Sequence, residues 1–242
     1  VSKDIYASLS GAMAAWSHVE VIANNLANAS TTGFRQQKVA FELVGAKPLP
    51  LGKTFVRISP GAVDPSDGPI LQDGVSTHLA LRGEGYLVVE DELGREVLTR
   101  NGTLRLDPDR FLVTADGDYV LGQGGPIQLP LDEQMEIDGE GNITTRRDTG
   151  FDVVVNQVDQ LRVVEVPDRA GLRSLGGGRF ISESGVSDAQ STTVVQGALE
   201  GSNTDPMREM VELIQASRYF EVYQRAIRNT DELDSRIYNL RS

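Results

Sequence analysis

Apolar residues near the start of the chain recur with heptad spacing. Ile5, Leu9, Ala12, Trp16, Val19, Ala23 and Leu26 follow one another at steps of four and three, so a helix gathers them into one narrow stripe. The helix is expected to end near Asn28, because Asn28-Ala-Ser-Thr-Thr-Gly33 is rich in side chains that compete with helical backbone bonds, and Gly33 can take positive φ. A second stripe lies at the other end of the chain. Asp205-Pro206 reads as an N-cap followed by proline at the first helical position, and no Gly or Pro interrupts 207–240. Leu213, Ala216, Phe220, Tyr223 and Ile227 again step by three and four. Beyond them Leu233, Ile237 and Leu240 keep the apolar face only through a one-residue slip of phase, as in a stutter. Each stripe is too narrow to bury itself, so the two helices are expected to pair with each other or with neighbouring copies.

The pattern between the helices is different. Five prolines and five glycines in 45–75 forbid a long helix, leaving short strands such as the alternating Lys53-Thr-Phe-Val-Arg-Ile58. From Ser76 short apolar runs such as Leu79-Ala-Leu81, Tyr86 to Glu90, Glu96 to Thr99 and Thr103 to Leu106 alternate with turn residues. Asn101-Gly102 and Asp116-Gly117 read as hairpin turns, and Gly176-Gly-Gly178 as a loop tip. No helix long enough for a βαβ crossover separates these runs, which implies antiparallel pairing. The fold class predicted is α+β: paired N- and C-terminal helices forming a coiled-coil-like core, with a mostly antiparallel β domain inserted between them. The expected divisions are a helical arm at 1–30, an extended connector at 31–75, the β domain at 76–190, a return connector at 191–205 and a second arm at 206–242.

Three segments carry a resemblance. Ile22-Ala-Asn-Asn-Leu-Ala-Asn-Ala-Ser-Thr-Thr-Gly-Phe-Arg35 contains Asn24, Asn25, Leu26, Asn28, Thr31, Thr32, Gly33 and Phe34, and is similar to the N-terminal signature of the bacterial flagellar rod and hook family. Gln196-Gly-Ala-Leu-Glu-Gly-Ser-Asn203, with Gly197, Leu199, Ser202 and Asn203, resembles that family's C-terminal signature. A third similarity runs from Leu79 through Thr99-Arg-Asn-Gly-Thr-Leu-Arg-Leu106 to Leu112-Val-Thr-Ala-Asp-Gly117. The resemblance implies an axial structural protein of the flagellar basal body that self-assembles through its terminal helices into a torque-transmitting shaft around an export channel. It also implies partners: other copies of the chain, other rod proteins, and the export apparatus during secretion to the periplasmic rod without a cleaved signal. Neither cofactor nor catalysis is implied. Within the family, Ala29-Ser30 and Gly201 are more like the proximal-rod branch, the distal-rod branch being the alternative. Thr204-Asp205 departs from the apolar-containing version expected there.

Charge changes the picture most in the middle. Residues 1–44 hold three basic and three acidic groups and residues 207–242 six of each, so both arms are neutral; residues 45–206 hold 14 basic and 26 acidic groups, all of the net −12. Neutral arms can pack against copies of themselves, whereas an acidic middle repels copies and disfavours nucleic acid. The chain has no cysteine, which removes disulfides, thiol nucleophiles and the common structural zinc sites. No secretory leader pattern opens the sequence, and no run approaches ~20 apolar residues, so membrane insertion is not expected.

Several motifs invite chemistry. Gly52-Lys-Thr54 ends like a phosphate-binding loop, but Lys47 replaces the earlier glycine and Pro48 and Pro50 spoil the cradle. Asp138-Gly-Glu-Gly-Asn142 offers alternate oxygens, yet Ile143 and Thr149 stand where a calcium loop needs glycine and a carboxylate, so a hairpin turn is the better account. Asp116 and Asp118 could serve a secreted β-rich hydrolase, though Asp-Gly-Asp is also a solvated turn. His18 and His78 lack a nucleophile or second histidine at ligand spacing. A binding module on a coiled-coil stalk is the remaining alternative.

Overall fold

The computed structural model describes the backbone of residues 3–45, 54–131, 133–148, 153–167 and 171–239, and side chains for 8–39, 63–131, 133–147, 154–167, 171–230 and 232. The side chains of Ile5, Leu233 and Ile237, all of Leu240, and Lys47, Pro48, Pro50, Gly52 and Lys53 lie outside the described residues. The chain forms two compact units. One comprises Val1–Ala29, Gln37–Ala62 and Thr204–Ser242; the other comprises Ser30–Gln36 and Val63–Asn203.

The first unit contains two helices, α1 (Lys3–Ala27) and α2 (Pro206–Asn239), and a two-stranded sheet of Gln37–Gly45 and Thr54–Val63. Asp205 caps α2, its carboxylate accepting from the amides of Met207 and Arg208, while Pro206 occupies the first turn, where no amide is needed. α1 ends as Asn28 donates to the carbonyls of Asn24 and Asn25. The helices run antiparallel: the Trp16 and Phe220 rings lie 5.4 Å apart, and Asn25 meets Glu209 nearer the other end of the pair. The closest approach uses small residues. Gly11, Ala12 and Ala15 are buried, and a methyl added at Gly11 would meet the Tyr223 ring at 2.5 Å. Neither helix is long and apolar enough to cross a membrane.

The second unit is β. Its largest sheet runs in the order Leu172–Gly176, Arg179–Ser182, Glu96–Thr99, Tyr86–Glu90, Tyr119–Gly122, Leu112–Thr114, Leu104–Leu106, and the pairings with a described register are antiparallel. Tyr86–Glu90 explains why the sheet is covered on both sides. Leu87 and Val89 join one apolar cluster with Val97, Leu112 and Val120, whereas Tyr86 and Val88 join another with Leu98, Leu121 and Phe180. Alternate side chains of one strand thus feed two cores. A three-stranded sheet (Gln134–Ile137, Asn142–Asp148, Val153–Gln160) closes the first cluster through Met135, Ile137 and Ile143. Two short ladders pair early strands with late ones: Ile70–Gln72 with Ala198–Glu200, and Leu79–Arg82 with Thr193–Gln196.

Asp116-Gly117 turns a hairpin between Leu112–Thr114 and Tyr119–Gly122, and Asp138 closes the next by accepting from the amides of Glu140 and Asn142. The hairpin expected at Asn101-Gly102 does not form. The strand Glu96–Thr99 pairs with its neighbours in the large sheet while Leu104–Leu106 pairs with Leu112–Thr114 at the far edge. Gly102 instead presses against Leu79, whose amide donates to the Gly102 carbonyl at 3.0 Å, and a Cβ there would run into the Leu79 carbonyl. Glycine is required for space rather than for a turn. Gly102→Ala is expected to destabilise this unit by ~2–3 kcal/mol, the upper range for overpacking against groups that cannot yield. Gly139→Ala, whose methyl meets nothing within 4 Å, should leave the urea midpoint unchanged. Equal midpoints for the two variants would contradict this packing.

Candidate assembly site

The residues of the two terminal motifs become interpretable through their backbone partners. In the helical unit Asn25, 2% exposed, uses its amide like a strand edge: Oδ1 accepts from the Gln37 amide and Nδ2 donates to the Gln37 carbonyl, both at 2.9 Å. The same Nδ2 reaches Glu209 at 3.4 Å. Asn28 back-bonds to the Asn24 carbonyl at the helix end. Asn24 points to solvent and Leu26 is half-buried.

In the β unit Asn203 performs a similar task. Its Oδ1 accepts from the Gln36 amide at 2.7 Å, its Nδ2 donates to the carbonyls of Asp64 and Ser66, and its own amide donates to Phe34. Gly33 sits at φ 67° with its amide on the Glu200 carbonyl at 2.7 Å, and an added Cβ would strike the Arg100 and Asn101 backbone. Only glycine satisfies both the left-handed conformation and that close approach. Gly197 accepts from the amides of Asp73 and Gly74. Phe34 is buried, while Thr31, Thr32, Leu199 and Ser202 are half-buried.

At the centre of these contacts lies a charged cluster. Arg35, Arg100 and Glu200 have side chains 1% exposed. Glu200 accepts from Arg35 at 2.8 Å and from the Gly68 amide at 2.9 Å through one oxygen, and from Arg100 at 3.2 Å through the other. Arg35 also binds the half-exposed Asp67 at 2.9 Å. Arg100 donates to the carbonyls of Leu81 and Gly83 and stacks over the Tyr86 ring at 5.0 Å. Burial first, then the neighbouring Arg35 charge, pushes the Arg100 guanidinium below its ordinary pKa. Arg35 and Arg100 stand inside motifs quoted for their resemblance, as does Glu200, but nothing in sequence spacing pairs them. In the two terminal motifs the available signal was a charged residue within an otherwise uncharged stretch; the central motif also holds Arg105, so nothing there singled out Arg100.

The two apolar stripes are brought together, though unevenly. Ala12 and Ala216 are buried; Val19, Leu26, Leu213, Phe220 and Ile227 are half-buried; Leu9, Trp16, Ala23 and Tyr223 are exposed. Asp118 is buried beside Arg179 at 3.5 Å, its pKa raised by burial against the pull of that guanidinium, while Asp116 faces solvent. His78 pairs with Asp73, lowering the pKa of that carboxyl.

Three family models match in chain order: "Flagella basal body rod protein" over 5–35, "Flagellar hook protein FlgE/F/G D1 domain" over 80–145 and "Flagellar basal body rod FlgEFG protein C-terminal" over 195–240. The chain is 32% identical to "Flagellar basal-body rod protein FlgF" of Salmonella typhimurium and 31% identical to that of Escherichia coli, each alignment covering 98% of both chains. The chain belongs to the flagellar basal-body rod family. A "Flagellar basal-body rod protein FlgG" of Agrobacterium fabrum is 30% identical over 90% of this chain and 91% of its own. The terminal models cover Asn25, Arg35, Glu200 and Asn203, and the central one covers Arg100.

Removing the shared anion leaves two buried cations facing one another. Glu200→Gln is expected to destabilise the β unit by ~3–5 kcal/mol, the usual result of breaking a buried ion pair from one side. Asp67→Asn, at a half-exposed carboxylate, should cost no more than ~1 kcal/mol. Urea unfolding of the full chain compares them, and a smaller loss for Glu200→Gln than for Asp67→Asn would refute the central position of Glu200.

Proposed function

We propose that the chain is a structural subunit of the flagellar basal-body rod, of the proximal type, whose work is mechanical rather than catalytic. The observation that carries this reading is the near-full-length similarity to rod proteins named FlgF, which spans both terminal helices and the β unit between them. The FlgG similarity favours a distal-rod subunit as the second reading. In the proposed role the terminal helices join copies of the chain and other rod proteins into a hollow shaft. The acidic β unit stays solvated, and the subunit reaches the periplasmic rod through the flagellar export apparatus. The neutral charge of the two arms supports this division of labour, because copies can approach there without the repulsion that acts between the middles.

The helix pair supplies the test. Phe220 packs on Trp16, so an aspartate at 220 sets an unpaired charge against an aromatic face. Arg225 is exposed, and its loss removes little. In a strain carrying each variant as its only copy, Phe220→Asp should halt rod completion and abolish motility, while Arg225→Gln should swim normally. Complete rods with Phe220→Asp would refute assembly through the helices.

A further inference from the structure

One strand of the β unit presents an open edge. Val153–Gln160 is the outer strand of its three-stranded sheet: it bonds to Asn142–Asp148 on one side and to no strand on the other among the described residues. Successive side chains of a strand point to opposite faces, yet Val154 is 44% and Val155 58% exposed, and Asn156 and Gln157 are exposed as well. This end of the strand therefore has solvent on both faces. Proteins normally blunt such an edge with lysine, proline or a bulge. Residues 153–158 contain no charge and no proline, and the bulge falls at Val158, leaving 153–157 in regular register. A bare edge of β-branched residues is a template for another strand.

We propose that this edge receives an extended segment of a different protein, one that carries uncharged β-forming residues between two basic ends. Charge selects that partner over a second copy. Residues 63–203 hold 11 basic and 25 acidic groups, so a second β unit is repelled and a basic segment is drawn in. The strip is neutral, but acidic residues bracket it, Asp152 before and Asp159 after. On the adjoining strand Arg146 and Arg147 are already matched by Glu136 at 3.7 Å and Glu133 at 2.9 Å, so they do not offset that charge. An uncharged middle with basic ends is what complements such an edge.

A cleft of about 600 Å³ adjoins the same strand, lined by Asn156 and Val158 together with Pro108, Leu129, Pro130 and Leu131. Leu131 is 69% exposed. The wall it belongs to is fixed, since the Leu129 amide donates to the Arg110 carbonyl and the Arg110 guanidinium to that of Pro130. In strand addition the main-chain bonds give affinity and pockets for alternate side chains give specificity. This cleft suits one aliphatic side chain of the added segment. The strand stands outside all three family matches, so the contact is no part of the shared motifs. It goes beyond the rod reading and uses the β unit rather than the helices.

The test uses the full chain and three synthetic peptides: Lys-Thr-Leu-Thr-Val-Thr-Lys, its counterpart with glutamate at both ends, and the lysine form with its internal amides N-methylated. At low salt the lysine peptide should bind and shift the amide resonances of 153–158. The glutamate peptide should bind roughly tenfold more weakly, and N-methylation should abolish binding. Leu131→Ser, at an exposed position, should weaken the lysine peptide several-fold without moving the urea midpoint. Equal binding of the two charged forms, binding that survives methylation, or shifts confined to other residues would overturn the proposal, as would no binding of the lysine peptide at millimolar concentration. A chain that dimerises through this edge, seen by sedimentation and as a Val155→Cys homodimer on oxidation, would assign the edge to a second copy and overturn the choice of partner. Each of these results leaves the rod reading, which is tested at the helices, standing.

Discussion

Glu200 is the anion on which the entry and exit of the β unit depend. It reaches Arg35, just after the N-terminal motif, and Arg100, in the middle of the chain, while itself standing in the C-terminal motif. Three distant stretches therefore share one buried charge balance. In the interior such a pair gains strength from low dielectric but repays its desolvation only with good geometry and filled lone pairs. Glu200 meets that condition with donors from Arg35, Arg100 and the Gly68 amide. The arginines do so less completely: Nε and Nη1 of Arg35 and Nε of Arg100 are buried without a partner among the described residues. The cluster is thus better suited to dictating which segments meet than to adding stability. Gly33, held beside the Arg100 backbone, fixes how closely they meet.

The helical unit is governed by a different constraint, the distance between two helix axes. Gly11, Ala12 and Ala15 present little side chain, so α2 can come close enough for the Tyr223 ring to cover Gly11. That closeness concentrates burial on a narrow strip and leaves larger residues, Leu9 and Trp16 among them, at the margin. Asn25 then ties the end of α1 to the start of the following strand through both sides of its amide. A side chain completing a backbone ladder in this way is held in place, since moving it would leave the part-buried amide and carbonyl of Gln37 without it.

What could be read in the sequence was local or periodic. The Asp205 cap, the end of α1 after Ala27 and the turns at Asp116-Gly117 and Asp138 to Asn142 depend on neighbours within a few residues, and they appear where the pattern placed them. Asn101-Gly102 has the same local chemistry but a different fate, because approach of Leu79 from outside the window decided its conformation. The heptad stripes identified two helices that pack together, yet an apolar count weights Leu9 and Trp16 above Gly11, and close packing favours the reverse. The ion cluster was out of reach for a more basic reason. Arg35, Arg100 and Glu200 each read as an ordinary surface charge until tertiary structure buries all three.

The placement of Glu200 near the end of the chain has a consequence for timing. A polypeptide made from its N-terminus presents Arg35 and Gly33 long before Glu200 and Asn203 exist, and the strands Ile70–Gln72 and Leu79–Arg82 likewise wait for partners beyond residue 192. Contacts so remote in sequence carry a large loop-closure cost and close late. A chain that has not reached Glu200 therefore cannot seal its own β unit. The β unit thus stays open until the residues through Asn203 have been made.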